Sequence, residues 1–206
     1  MQNDTERRPR KRLDPNDRRA AILDAAVLFF SQQGLGGTTR DLAAQLGVSV
    51  GLIHRYFSKD ELISAVYERV FASRVDPAWL GALNDRAVPL RMRLLTFYQA
   101  YVQAVDDPIW TRIALLSALD GSMLGRRYLD EHVGEFIDAI AREVRPTKES
   151  GPITFRQRER AWVLHSAVVF FLVRKHIHGI AGDPGIVVEE AVDVFIDGAN
   201  RNDSSR

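Results

Sequence analysis

The 206-residue chain has no cysteine. That excludes disulfide frameworks, thiolate zinc sites, thiol catalysis and iron–sulfur clusters together, and it points to a reducing compartment, the cytoplasm. Long apolar runs are missing too. The most apolar stretch, Ala161–Val173, has 13 residues with His165 and Ser166 inside it, whereas a membrane span needs about 20. The basic N-terminus lacks the apolar core of a secretory signal. Net charge is almost absent: 28 Lys+Arg against 27 Asp+Glu leaves +1. A polyanionic partner can therefore be argued only from where the charges lie. Enzyme signatures are equally lacking. There is no His-Glu-x-x-His, P-loop, Gly-x-Ser-x-Gly or dinucleotide glycine fingerprint, and no Glu-x-x-His pair of the di-iron bundles. His176 and His178 face different ways on a helix, and Glu131-His132 with Glu135 reads as a solvated helix face. No catalysis, metal or cofactor is expected.

Helical periodicity is present throughout. With 46% hydrophobic and 27% charged residues, the chain has the composition of a globular protein of one large or two small domains. A basic arm, disordered over 1–16, precedes a helix from Asp17 to Gln33. Its Ile22, Ala26, Phe29 and Phe30 fall on one face, and Gly34 is placed as a left-handed cap. Thr38 caps a short helix that ends at Gly47. Ser49 caps another to about Phe57, and Lys59 opens a fourth to about Arg74. Longer helices are predicted at 88–106, 108–119, 122–144, 154–178 and 183–199, with flexible points at 76–89 and 146–152. The fold class is all-α: an N-terminal three-helix unit over 17–63, then a helical bundle over 64–206.

Residues 38–57, TTRDLAAQLGVSVGLIHRYF, have the layout of a helix-turn-helix, with two capped helices and a glycine turn. At 100° per residue, Ile53 and Phe57 point together, flanked by Val50 and Tyr56, and dock on the preceding helices. The opposite face presents Gly51, Leu52, His54 and Arg55. Such a face suits a major groove: Gly51 lets the backbone approach, Arg55 can pair with a guanine edge, and Leu52 can touch a thymine methyl. An ordinary helical hairpin with a solvated face has the same pattern. The arm Arg7-Arg8-Pro9-Arg10-Lys11-Arg12 is either a phosphate- or minor-groove-reaching extension or a solubilising tail.

The stretches RRAAILDAAVLFFSQQG, GTTRDLAAQLGVSVG and HRYFSKDELISAV, in this order and spacing, resemble the DNA-binding domain of the tetracycline-repressor (TetR) family. The resemblance implies a cytoplasmic homodimeric regulator gripping a palindromic DNA operator. It also implies a C-terminal domain that dimerises through its last two long helices and holds an inducer. Operator-contacting positions of the family fall on Thr39, Arg40, Val50, Gly51, Leu52, His54, Arg55, Tyr56 and Lys59. Leu52 stands where the family usually has a small hydroxyl residue, and His54 stands for a tyrosine. Phe57-Ser58-Lys59 is one residue shorter than the family's usual segment.

Helix 154–178 is apolar on nearly all sides and must be covered on nearly all sides. With helix 183–199 it suits an isologous four-helix dimer interface through Trp162, Val169, Leu172, Val187, Val194 and Phe195, or else the core of a monomer. The intervening helices are rich in large rings, most of them expected in the core. Tyr101, Trp110, His165 and Arg174 are the polar handles of a candidate pocket for a mainly apolar small-molecule inducer. A repressor released by that inducer is the expected function. A DNA-binding dimer without a ligand is the competing one.

Overall fold

The computed structural model describes residues 14–143 and 151–203. All regular structure among them is helical. The arm Arg7–Arg12 and most of the 146–152 gap lie outside the described residues. α1 (Pro15–Gln33) begins two residues before the predicted start. Asp14 accepts from the Asn16 amide, and Pro15 takes the first helical position, where its missing N–H costs nothing. α2 (Thr39–Leu46) starts on Thr38, whose hydroxyl accepts from the Asp41 amide and donates to its carboxylate. α3 (Val50–Tyr56) starts on Ser49 and ends at Phe57. α4 (Lys59–Val70) has a full capping box between Ser58 and Glu61. It crosses the expected 63/64 boundary as one continuous helix.

Gly34 has a positive φ of 76° but an extended ψ of 172°, so it is not the left-handed cap the sequence suggests. Its amide still closes α1 on the Phe30 carbonyl. The positive φ is what calls for glycine here, since a Cβ would come only into ordinary contact with Asp120.

The 76–89 stretch is not a flexible joint. It contains α5 (Ala78–Asn84), which buries Trp79 and Leu83. α6 (Leu90–Val105) and α7 (Pro108–Leu119) follow, the latter capped by Asp107. The single helix expected over 122–144 is three pieces: α8 (Met123–Tyr128), a π turn over Leu129–Val133, and α9 (Gly134–Glu143). The wider turn lets Tyr128, Val133 and Phe136 all reach the core. α10 (Phe155–His176) and α11 (Pro184–Asp203) complete the bundle. α10 packs on α9, α7 and α11, and α11 packs on α6. One hydrophobic cluster runs from Ile22 in α1 to Val192 in α11, so the N-terminal unit and the bundle share a core.

Candidate nucleic-acid interface and regulatory interior

The helix-turn-helix is fixed from its buried side. Ile53 and Phe57 are fully buried, with Val50 and Tyr56 half-buried beside them. The Arg19 guanidinium of α1 lies 4.0 Å over the Phe57 ring and pins the end of α3. Gly47 makes the turn in the left-handed region, φ 64° and ψ 35°. With that phase set, α3 presents Gly51, His54 and Arg55 to solvent and keeps Leu52 half-buried. Around Gly51 a Cβ would meet nothing within 4 Å, so the backbone itself is open to an approaching partner. Arg40 and Lys59, at the starts of α2 and α4, are exposed, and Thr39 is half-buried. The described surface thus offers three cations and an imidazole around one short helix, a footprint for phosphates flanking base edges.

Residues 22–66 match the sequence profile of "Bacterial regulatory proteins, tetR family". This N-terminal segment is similar to the DNA-binding domain of the TetR family. The fold of the chain agrees with solved structures over nearly its whole length. A crystal structure described as a TetR-family transcriptional regulator from Mesorhizobium loti superposes with a TM-score of 0.57 at 16% identity, covering 91% of this chain and 97% of that one. A mutant of HlyIIR, with an internal segment replaced by a linker carrying two thrombin sites, gives 0.56 at 19% identity over 85% and 97%. The chain thus combines an N-terminal segment that matches a TetR-type helix-turn-helix with the overall helical fold of these neighbours.

Two routes join reader and bundle. Along the chain, α4 is tied down where the Tyr67 hydroxyl donates to Glu131 at 2.7 Å, with Arg127 4.0 Å above the Tyr67 ring. Phe71 packs on Trp110 and Tyr128. Through space, α7 holds the end of α1: Arg112 donates to the Ser31 carbonyl at 2.7 Å, and the Leu35 amide donates to Asp120 at 2.9 Å. The second is a matter of packing and leaves no local signal.

Of the four expected polar handles, Tyr101 and His165 meet, with ring centroids 5.3 Å apart. Trp110 stands in a neighbouring layer against Tyr128 and Phe71. Arg174 lies half a turn around α10 from His165 and covers the Phe171 ring at 5.6 Å. Each of the four has a buried polar atom without a hydrogen-bond partner among the described residues. Tyr98, absent from the sequence-based set, shares this property and contacts both Tyr101 and His165. Its place could have been read from the i, i+3 spacing to Tyr101.

Burial holds the His165 pKa down to about 4. In the unfolded chain the imidazole titrates near its usual value of about 6.5. Between these values the unfolded chain binds more protons, so stability falls as the pH falls through this window. The loss amounts to roughly 3 kcal/mol by pH 4. His165→Phe is expected to flatten this part of the urea-midpoint profile between pH 7 and 4. Identical slopes in parent and variant would show that His165 is not buried neutral.

The outer face of α10 and α11 is apolar and uncovered. Val163, Phe170, Ile186 and Val194 are 61–70% exposed, and a groove of about 720 Å³ runs between the helices past Val187 and Phe195. Of the expected interface residues, Val187, Val194 and Phe195 line this groove, and Val169 is half-buried on α10. Leu172 is removed from the set: it is fully buried in the chain's own core. Trp162 faces a different groove, between the π turn and α10. Phe155, Val163, Phe170 and Ile186 are exposed apolar side chains of α10 and α11 that the expected set lacks. On a helix apolar nearly all round, periodicity does not say which apolar residues point outward.

Proposed function

We propose that the protein is a homodimeric, ligand-responsive repressor in the cytoplasm that reads a palindromic operator with α3 and is released by a mainly apolar small molecule. The observation carrying this reading is the outward face of α3: Gly51, His54 and Arg55 are held out by the buried Ile53 and Phe57. Lys59 and Arg40 flank it. Operator contacts are assigned to Thr39, Arg40, Val50, Gly51, Leu52, His54, Arg55, Tyr56 and Lys59. Two readers reach successive major grooves only if two copies are held at a fixed separation, and the apolar α10–α11 face supplies the joint. A ligand that favours a different separation weakens operator binding by differential affinity. α7 is suited to transmit it, since it places Trp110 inward, Arg112 on the end of α1 and Asp120, just past α7, on Leu35 beyond α1.

The test is fluorescence anisotropy of the purified protein on the DNA flanking its own coding region, over a salt series. Tight, competitor-resistant binding of two protomers per palindromic site is expected. Arg55→Ala should relax discrimination by about 1–3 kcal/mol at one base pair per half-site. Lys59→Ala should weaken all sequences alike and reduce the salt slope by about one. If both variants bind every sequence as the parent does, α3 is not the reader.

A further inference from the structure

We propose that Arg7, Arg8, Arg10, Lys11 and Arg12 form a second DNA contact, an arginine-rich arm laid extended in the minor groove bordering each half-site and selective for A·T base pairs there. The inference rests on the reading of α3 as the operator reader and adds base pairs that α3 does not reach.

The place from which the arm departs follows from how α1 is held. The far end of this 19-residue helix is fixed to the bundle, where Arg112 donates to the Ser31 carbonyl and the Leu35 amide donates to Asp120. Its start lies about 28 Å from there, at the reader. Close to that start the Arg19 guanidinium sits 4.0 Å over the ring of Phe57, the residue that ends α3. Asp14 precedes Arg19 by five residues, about 8 Å along the helix. The chain therefore enters the fold beside the α3–α4 junction and the exposed Lys59. Arg12 and Arg7 stand two and seven residues before Asp14, a reach of about 7 and 23 Å for an extended chain. The step from a major groove to the adjacent minor groove, half a turn of B-DNA, is about 17 Å. The start of α1 itself carries Asp14 and Asp17 and repels phosphates, so positive charge at this edge of the reader comes from the arm.

The composition of the arm favours the minor groove over phosphates alone. Five of the six residues 7–12 are cationic, and four of the five are arginine. A guanidinium is more weakly hydrated than an ammonium, and the negative potential of a narrow A·T-rich minor groove draws it in. That groove is only about 6 Å wide, so an extended chain enters it and a helix does not. Pro9 has no N–H to give a helix and disfavours helical geometry at Arg8 before it. On the minor-groove side a G·C pair adds the guanine amino group that A·T pairs lack, which gives the arm its means of discrimination. Phosphate contacts by themselves carry no sequence information.

The test is anisotropy of the full chain on the fragment that carries the bound site, with the base pairs bordering each half-site made A·T, G·C or inosine·C. Short duplexes of the same three compositions are titrated alongside. Inosine removes the guanine amino group from the minor groove and leaves the major-groove edge unchanged, so it reports the minor groove alone. A·T and inosine·C borders should bind alike and at least fivefold tighter than G·C. Arg7→Ser, Arg8→Ser, Arg10→Ser, Lys11→Ser and Arg12→Ser together should weaken binding at least thirtyfold at physiological salt and abolish the border preference. The salt slope of that variant should fall by about 4. Arg7→Lys, Arg8→Lys, Arg10→Lys and Arg12→Lys together should keep the slope and lose the preference. Equal binding of all borders, or inosine·C binding like G·C, would overturn the groove assignment and leave phosphate contacts only. An unchanged slope in the serine variant would make the arm a solubilising tail. A border preference on the short duplexes with no effect of Arg55→Ala on the fragment removes α3 as the reader and keeps the arm; the expected Arg55→Ala effect without a border preference removes the arm alone.

Discussion

Arg93→Ala is expected to lower the unfolding free energy by about 3–5 kcal/mol, more than any other single side-chain truncation argued for this protein. Arg93 sits in the first turn of α6 and is 5% exposed. Its guanidinium donates to the Leu83 and Val88 carbonyls at the end of α5 and beyond it, and to Glu143 at the end of α9 at 2.7 Å. Truncation leaves two carbonyls and a largely buried carboxylate without their donor, and the exposed Arg86, 3.3 Å from Glu143, compensates little. For a chain of this size the loss corresponds to roughly 10 °C in melting temperature. Arg93→Met keeps the packed stem and should recover only the packing part. Arg93→Met combined with Glu143→Leu should recover much more, because it removes the stranded charge as well. A loss below about 1 kcal/mol in Arg93→Ala would mean the three bonds are replaced by water.

The same clamp explains what the sequence conceals. Between Asp76 and Pro89 the chain has two prolines near its ends and Gly81 in the middle. These are turn signals, yet Arg93 and the burial of Trp79 and Leu83 hold the segment helical. Its carbonyls are satisfied from a neighbouring helix, a contact no local pattern announces. The helix-turn-helix is the opposite case. Thr38, Gly47 and Ser49 set its start, turn and restart locally, so the outward face of α3 could be phased from Ile53 and Phe57 alone. Leu52 is the exception there, half-buried where the helical wheel turns it outward.

The π turn was illegible for a related reason. A period of 3.6 persists on either side of Leu129–Val133, and the one-residue slip between them serves the packing of Tyr128 and Phe136 rather than any local preference. In α10 the difficulty was excess of signal. Phe170, Phe171 and Leu172 are equally apolar, and only the positions of α9 and α7 decide that Phe171 and Leu172 go inside while Phe170 stays out.

That outward face supports the second large effect. Val163→Asp is expected to leave the isolated chain folded, because the residue is 70% exposed there and surface substitutions usually stay within about 0.5 kcal/mol. In an isologous interface, however, it buries two carboxylates, one from each copy, in an apolar four-helix joint. Each uncompensated buried charge costs several kcal/mol, so the dimer should dissociate at concentrations where the parent is intact. Operator affinity should then fall by a factor on the order of 10² to 10⁴, since the second half-site no longer gains from being tethered to the first. Sedimentation equilibrium measures the assembly and anisotropy on a full and a half operator measures the reader. A monomeric variant should bind both DNAs with the same weak affinity, showing an intact α3. Val163→Ala, which removes two methyl groups without adding charge, should remain dimeric and keep most of the affinity. A Val163→Asp protein that sediments as a dimer and binds the full operator like the parent would place the joint elsewhere and leave the exposed Val163 and Phe170 of α10 and Val194 of α11 without a role.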